Sequence, residues 1–229
     1  MGDVLVTSAP YQDPKGGWQV LHFPVPFSAD GVFIAEDWHT LGMRATGSHS
    51  VVLDKVFVPD GAIALKRPRG RFHPAWNAIL TVAMPLIMSV YAGVAEAAVT
   101  IARDGAAKRK DDPAMPYLLG ELTNRLTTAQ LAMDDMVRLA DDLNFAMSLD
   151  VTDAILVRKT VVAENVLATV EKALETAGGA GFYRKTGLER LLRDAHGAQF
   201  HPLSAKGQHR FTGRIALGLD PIADAAAPA

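Results

Sequence analysis

The sequence predicts a mainly α-helical protein, in which an antiparallel four-helix bundle follows a partial β-barrel or sheet domain. Up to about residue 66, short β-type runs alternate with turn residues. From residue 71 onward, long segments repeat apolar residues at helical spacing and are joined by short connections, which favour antiparallel neighbours. We therefore expect a partial β domain over residues 1–66, a helical bundle over 67–222 and a disordered tail over 223–229.

The composition allows a sizeable core and excludes several kinds of site. Of the 229 residues, 49% are hydrophobic, the net charge is −2 and there is no cysteine. A near-neutral chain offers no global basic surface for nucleic acid. Without cysteine there is no disulfide, thiolate nucleophile or zinc–thiolate site. No basic segment precedes an apolar run at the start, so no signal peptide is predicted. We expect a cytoplasmic protein that binds neither nucleic acid nor membrane.

Strand-type runs and turns organise the first 66 residues. The strand-like runs are Val4–Val6, Trp18–Pro26, Gly31–Ile34 and Ser50–Val58, and turns are predicted at Pro14–Gly17 and Ser28–Gly31. So few strands leave open edges, which folded proteins normally pair or cover.

Five helices are predicted in the remainder of the chain. They cover about Pro74–Lys110, Ala114–Ser148, Val151–Ala177, Thr186–Gln199 and Ser204–Leu217. Pro85 should kink the first helix or mark a short lead-in. The apolar stretch Ala75–Ile101 is interrupted by polar residues, so it indicates a buried bundle helix rather than a membrane span.

A glycine-rich turn is one candidate binding site. Gly178, Gly179 and Gly181 could expose backbone N–H groups to phosphate at a helix junction. A short glycine run is more often an ordinary helix cap. The basic run Lys108–Lys110 could also hold a phosphate. Its alternative role is favourable charge at a helix C-terminus.

Two histidines are candidates for proton transfer. His196 and His201 lie five residues apart around a helix end, and either could act as a general acid or base near neutral pH. A hydrogen-bonded structural histidine is the commoner case. Their spacing does not suit zinc, and we expect no metal site. Thr46, Ser48 and His49 could contact a ligand or form an ordinary turn before a strand.

Two stretches resemble parts of the acyl-CoA dehydrogenase superfamily. EDWHTLGMRATGSHSVVLDKVFVP, residues 36–59, resembles the closing strands of its middle sheet domain. ETAGGAGFYRKTGLERLLRDAHGAQFHPL, residues 175–203, resembles its last bundle helices. The likeness is closest to the branch with the "type 2" C-terminal domain, which includes flavin-dependent monooxygenases. The family's N-terminal helical domain and the first half of its sheet domain have no counterpart in this sequence.

The resemblance implies a bound flavin, FAD or FMN, and a homo-oligomer, a dimer or tetramer formed through the bundle. In the family, the glycine turn lies near the adenine-diphosphate end of the flavin of a neighbouring subunit, which corresponds here to Gly178, Gly179 and Gly181. An arginine late in the first bundle helix commonly reaches the flavin pyrophosphate. The aligned position here is Gly105, so the resemblance leaves Arg103, Lys108 and Arg109 as candidates for this contact.

The resemblance also bears on the reaction. Many acyl-CoA dehydrogenases carry a catalytic glutamate after the Arg-Asp-Ala helix, and the ungapped alignment places Pro202 there, beside His201. Proline cannot abstract a proton, so the sequence favours a monooxygenase-like flavin oxidoreductase. The histidine of that branch serves proton transfer, which makes His201 the first catalytic candidate and His196 the second. A two-component monooxygenase implies a partner flavin reductase and a small-molecule substrate.

Two alternatives remain open at this stage. The chain could be an acyl-CoA dehydrogenase that acts on an acyl-CoA substrate and takes its base from Glu164 or Glu171 on another helix. It could also be a non-catalytic helical oligomerisation module with a residual sheet.

Overall fold

The computed structural model describes residues 2–223, which divide into two compact units. Within this range the first unit comprises residues 2–40, 44–73 and 222–223, and the second comprises 41–43 and 74–221. The predicted tail over 223–229 lies, apart from residue 223, outside the described residues.

The first unit contains two small antiparallel sheets. Its strands are β1 (Val4–Asp13), β2 (Gly17–Pro26), β3 (Val32–Ile34), β4 (Val51–Leu53) and β5 (Leu65–Pro68). The order of one sheet is β1-β2-β5, and β3 pairs with β4 in the other. The carboxylate of Asp13 accepts the N–H groups of Lys15 and Gly16 at 2.8 and 2.9 Å, which closes the predicted turn between β1 and β2.

The second unit is helical, so the mainly α class with a preceding antiparallel sheet is confirmed. Its helices are α1 (Ala75–Ala107), α2 (Met115–Ala140), α3 (Leu149–Ala177), α4 (Leu188–Ala195) and α5 (Ala205–Ala216). The first three are long, and the last two are 8 and 12 residues. On α1 and α2, Gln130 donates to Glu96 at 2.8 Å and Arg103 to Thr123 at 3.3 Å. This pairing makes α1 and α2 antiparallel.

Helix α3 forms the centre of the bundle. Ion pairs of Arg158 with Asp135 and of Lys172 with Glu121 show that it runs antiparallel to α2. One face of α3 is fully buried at helical spacing and consists of Ile155, Lys159, Val162, Val166, Val170 and Ala173. The lysine in this otherwise apolar stripe is unusual, because lysine is almost never fully buried without a partner.

Helix α2 ends earlier than the sequence predicts. It stops at Ala140 rather than near Ser148, because Asp141, Asp142 and Leu143 take positive φ angles of 43°, 48° and 69°. Aspartate tolerates this left-handed region better than most residues, which is why the break falls at the aspartates. Ser148 then caps α3, since its hydroxyl accepts the N–H of Val151 at 3.2 Å.

Helix α1 continues through Pro85, which is buried, as one helix of 33 residues. Its most apolar 18-residue window has a mean hydropathy of 2.0, so by length and composition α1 could cross a membrane. Among residues 2–223 it is the one helix that meets this criterion, which a core helix of a soluble protein also meets. Because 39% of that window is buried and α1 packs against both α2 and α3, we assign it to the bundle.

Candidate active site in the helical unit

The Arg193-Asp194 pair on α4 fixes the segment 41–43 in place. The guanidinium of Arg193 is held by Glu189 at 2.8 Å and donates to the carbonyl of Leu41 at 3.2 Å. The carboxylate of Asp194 accepts the N–H of Met43 at 2.6 Å. The Arg-Asp-Ala motif therefore has a structural role on α4, and it precedes the turn that leads to the histidines.

His201 is paired with a tyrosine of the first bundle helix. Its Nδ1 lies 2.6 Å from the hydroxyl oxygen of Tyr91, and the two ring centroids are 5.5 Å apart with a tilt of 52°. The Tyr91 side chain is buried, with 1% of its surface exposed, whereas His201 is half-buried. The histidine thus has one ring nitrogen engaged inside the bundle.

Burial sets the charge of both rings. It raises the pKa of Tyr91 to about 12, and the nearby carboxylate of Asp194 adds to the increase. Burial also lowers the pKa of His201, and the ammonium of Lys159 lowers it further. At neutral pH the pair is therefore a neutral phenol beside a mostly neutral imidazole, a state in which a histidine can take up a proton or relay one.

Lys159 lies beneath the turn that carries His201. Its side chain is fully buried, and Nζ donates to the carbonyl of Ala198 at 3.0 Å and to that of Leu203 at 2.6 Å. Burial lowers its pKa to about 8. The two carbonyls bracket the four residues 199–202, so the ammonium holds the chain on both sides of the histidine.

His196 is separate from this pair. It begins the 3₁₀ turn that follows α4, and its Nδ1 lies 3.3 Å from the side-chain oxygen of Gln199 in the same turn. The structure therefore places His201, and not His196, against the bundle tyrosine.

The glycine turn and one of the three predicted cations come together. Arg109 donates to the carbonyl of Thr176 in the last turn of α3, which satisfies an end carbonyl of that helix. A Cβ added to Gly178 would lie 3.4 Å from Nη1 of Arg109. Gly178 and Gly179 are exposed, whereas Gly181 is buried. A guanidinium beside exposed glycine backbone fits a phosphate group.

The other two cations are placed differently. Arg103 donates to Thr123 on α2 at 3.3 Å, and Lys108 is the exposed C-terminal residue that follows α1. The structure thus singles out Arg109 as the cation that meets the glycine turn.

The polar residues singled out in the first unit bond to other residues of that unit. The hydroxyl of Ser48 lies 3.3 Å from that of Thr46, and Nδ1 of His49 accepts the N–H of Trp38 at 3.1 Å. These contacts suit the turn that precedes β4. A nearby cavity of about 330 Å³ in the same unit is lined by Trp38, His39, Thr40 and Arg44.

Sequence reasoning missed Tyr91 and Lys159. The helical spacing of the sequence marks both positions. Lys159 falls four residues after Ile155 and three before Val162, on the buried face of α3. Tyr91 is the one tyrosine of α1, and it lies within the apolar run of that helix.

Comparison with known proteins identifies the family. The family model for the C-terminal domain of acyl-CoA dehydrogenases matches residues 86–205. YdbM of Bacillus subtilis (strain 168), provisionally named an acyl-CoA dehydrogenase, is 29% identical over 183 residues, 75% of this chain and 46% of its own. The amino sugar nitrososynthase DnmZ of Streptomyces peucetius is 29% identical over 197 residues, 82% of this chain and 49% of its own.

A flavin-dependent monooxygenase and a solved structure extend the comparison. HsaA, an oxygenase subunit of Rhodococcus jostii (strain RHA1), is 26% identical over 202 residues, 73% of this chain and 50% of its own. KijD3, solved with FMN and dTDP-3-amino-2,3,6-trideoxy-4-keto-3-methyl-D-glucose, superposes with a TM-score of 0.83 at 27% identity, covering 97% of this chain and 57% of that one. The chain spans about half the length of the curated relatives it matches. Since the family model covers more than half of the chain, the chain belongs to the acyl-CoA dehydrogenase family by its C-terminal domain.

Proposed function

We propose that this chain forms part of a flavin-dependent oxidoreductase, monooxygenase-like rather than a β-oxidation dehydrogenase. The observation that carries the proposal is the Tyr91–His201 pair, with Pro202 at the position aligned with the dehydrogenase glutamate. A half-buried, neutral histidine is suited to proton transfer, whereas proline offers no base. The nitrososynthase and monooxygenase relatives support this choice.

In this proposal, Arg109, Gly178 and Gly179 hold a phosphate of the flavin. KijD3 was solved with FMN, and both FAD and FMN carry a phosphate that a guanidinium beside exposed backbone can bind. When bound, a reduced flavin supplies two electrons to O₂, so that one oxygen atom enters the substrate and the other leaves as water. His201 moves the proton in this reaction, and His196 is the second candidate.

Three partners follow from the proposal. A flavin reductase supplies the reduced flavin, in keeping with the designation of HsaA as an oxygenase subunit. A second copy of the chain contributes to the flavin site, in a dimer or tetramer formed through the bundle. We place this complex in the cytoplasm. The substrate to try first is a nucleotide-linked amino sugar, the class of compound bound by KijD3.

Flavin titration of the purified chain tests the proposal directly. We expect oxidised FAD or FMN to bind with a change in the visible spectrum and quenched fluorescence. No spectral change with either flavin, oxidised or reduced, would rule out a flavin site formed by this chain.

The role of His201 is tested by a matched pair of variants. With reduced flavin, O₂ and the amino sugar, His201→Ala should lower kcat about 100-fold, the lower range for a general acid or base. His196→Ala should change it little, and both variants should bind flavin as the native chain does. Loss of flavin binding in His201→Ala would instead give this histidine a structural role.

The dehydrogenase alternative has a separate test. Glu164 and Glu171, its candidate bases, are both exposed on α3, away from the buried face of that helix. Anaerobic mixing with acyl-CoA should leave the flavin absorbance unchanged if the monooxygenase proposal holds. Bleaching would favour the dehydrogenase, and a stable oligomer without flavin binding would favour an oligomerisation module.

A further inference from the structure

His201 is held from two sides by residues that the proposed reaction does not otherwise use. Lys159 on α3 donates to the carbonyls of Ala198 and Leu203, which lie before and after the histidine. Tyr91 on α1 reaches Nδ1 of the imidazole. The backbone on either side of His201 and the ring of His201 are therefore held by two different helices.

The burial of Lys159 is not explained by a gain in the stability of the fold. Its side chain is fully buried, and among the described residues its Nζ bonds two carbonyl oxygens and no carboxylate. Burying a charge without an opposite charge costs several kcal/mol, and an apolar side chain of the same volume is often as stable or more so. A lysine kept in this position therefore points to a role for its charge or its donors at the adjacent histidine.

The contact between Tyr91 and His201 has a preferred direction. Its length of 2.6 Å is usual for an O–H donor and shorter than the common range for an N–H donor. The buried phenol keeps its proton, so it has an O–H to give. If the hydroxyl donates, Nδ1 accepts, and the single proton of the neutral imidazole lies on Nε2.

A glycine makes room for this contact. A Cβ on Gly197 would lie 2.6 Å from the hydroxyl oxygen of Tyr91 and 3.1 Å from Cγ of Met43. The hydroxyl therefore occupies space that any other residue at position 197 would fill. The charged groups that act on the pair are Lys159 on α3, which acts on His201, and Asp194 on α4, which acts on Tyr91.

We propose that Lys159 and Tyr91 are positioning residues for His201. Lys159 fixes the backbone on both sides of the histidine and places a positive charge near the imidazole, and Tyr91 donates to Nδ1, so that the imidazole presents an Nε2–H. The use of this Nε2–H in proton transfer rests on the proposed function, but the protonation state and the tautomer do not. In this arrangement His201 serves as a proton donor through Nε2 and regains its proton at the same atom.

Nitrogen-15 NMR of the histidine-labelled chain, without flavin, tests the proposal. The His201 signals are assigned by their loss in His201→Gln. We expect Nδ1 to be unprotonated and Nε2 protonated at neutral pH. Tyr91→Phe, which keeps the ring volume, should give a mixture of both tautomers, and Gly197→Ala should do the same by displacing the hydroxyl. A native His201 with its proton on Nδ1 would overturn the proposal.

Lys159→Met tests the role proposed for the lysine. In this variant the pH titration of His201 should have a higher midpoint, and the His201 signals should be broader. Lys172→Met is the matched control, because Lys172 lies on the same helix and pairs with Glu121 and Glu175 instead. If Lys159→Met does not fold, Lys159→Gln is the second variant, because it keeps a donor without the charge. It should raise the midpoint of the His201 titration without broadening the signals. An unchanged midpoint in the folded variant would exclude the role of Lys159. The NMR titration uses the chain without flavin, so its result stands whether or not the chain binds flavin. Flavin binding is measured in a separate titration.

Discussion

Gly42 and Arg193 lie in direct backbone contact. A Cβ on Gly42 would be 2.0 Å from the carbonyl oxygen of Arg193 and 2.6 Å from the backbone nitrogen of Asp194. The φ angle of Gly42 is not left-handed, so the requirement for glycine is steric. This close approach allows the Leu41 carbonyl and the Met43 N–H to reach the side chains of the Arg-Asp pair.

Gly42→Ala should destabilise the helical unit by at least about 2 kcal/mol, because the new methyl group overlaps backbone atoms that cannot rotate away. Urea unfolding followed by circular dichroism measures the change. Gly93→Ala is the control, since Gly93 is exposed within α1 with no atom within 4 Å of an added Cβ. That variant should gain up to about 1 kcal/mol from helix propensity. Equal stability of the two variants would contradict the close packing of Gly42.

The buried ammonium of Lys159 should make stability depend on pH. Its folded-state pKa of about 8 lies below the ordinary value of 10.5, so between these values the unfolded chain binds more protons than the folded one. Stability therefore rises with pH across this window. From pH 8 to pH 10 the gain should be about 2 kcal/mol.

The variant Lys159→Met isolates this effect. Its free energy of unfolding, measured in urea at pH 7, 8, 9 and 10, should lack the rise that the native chain shows. Other groups that titrate, such as Lys172 with its raised pKa, contribute equally to both proteins and cancel in the difference. A difference between native chain and variant that is constant over this range would show that Lys159 is not perturbed by burial.

The sequence predicted the bundle well because helical periodicity reports directly on burial. The fully buried stripe of α3 from Ile155 to Ala173 is apolar at every position except Lys159. The end of α2 was misplaced because the polar run after Ala140 is compatible with a helix by propensity alone. Its end depends on left-handed angles at Asp141 and Asp142, which no periodicity reveals.

The candidate site was only partly predictable for a different reason. His201 and the glycine turn stand out by residue type and by family resemblance. Tyr91 contacts the ring of His201, and Lys159 bonds the backbone on either side of this histidine. They are 110 and 42 residues away from His201 in sequence, and only the packing of α1 and α3 brings them close to it. Lysine normally marks a solvated face, so its residue type argues against the buried position that the helical spacing of Lys159 indicates.

Arg109 should matter more to flavin binding than the neighbouring cations. Arg109→Met removes the guanidinium beside Gly178, and the loss of a charged hydrogen bond of about 1.5–3 kcal/mol should weaken flavin binding about 10- to 100-fold. Lys108→Met and Arg103→Met are the matched controls and should change it less than threefold. Fluorescence titration with FAD and FMN measures all three. A larger effect of Lys108→Met would move the phosphate contact to that residue.

Gly178 and Gly179 should respond differently to alanine. Gly178 has a φ of 61° and a ψ of −148°, a region essentially confined to glycine, so Gly178→Ala should cost about 1–3 kcal/mol of stability. Gly179 has no left-handed φ and no atom within 4 Å of an added Cβ, so Gly179→Ala should leave stability within about 0.5 kcal/mol. A methyl group on the exposed Gly179 would nevertheless keep a phosphate away from the backbone. Gly179→Ala should therefore weaken flavin binding while the unfolding curve stays unchanged, and unaltered binding would show that the phosphate does not approach this turn.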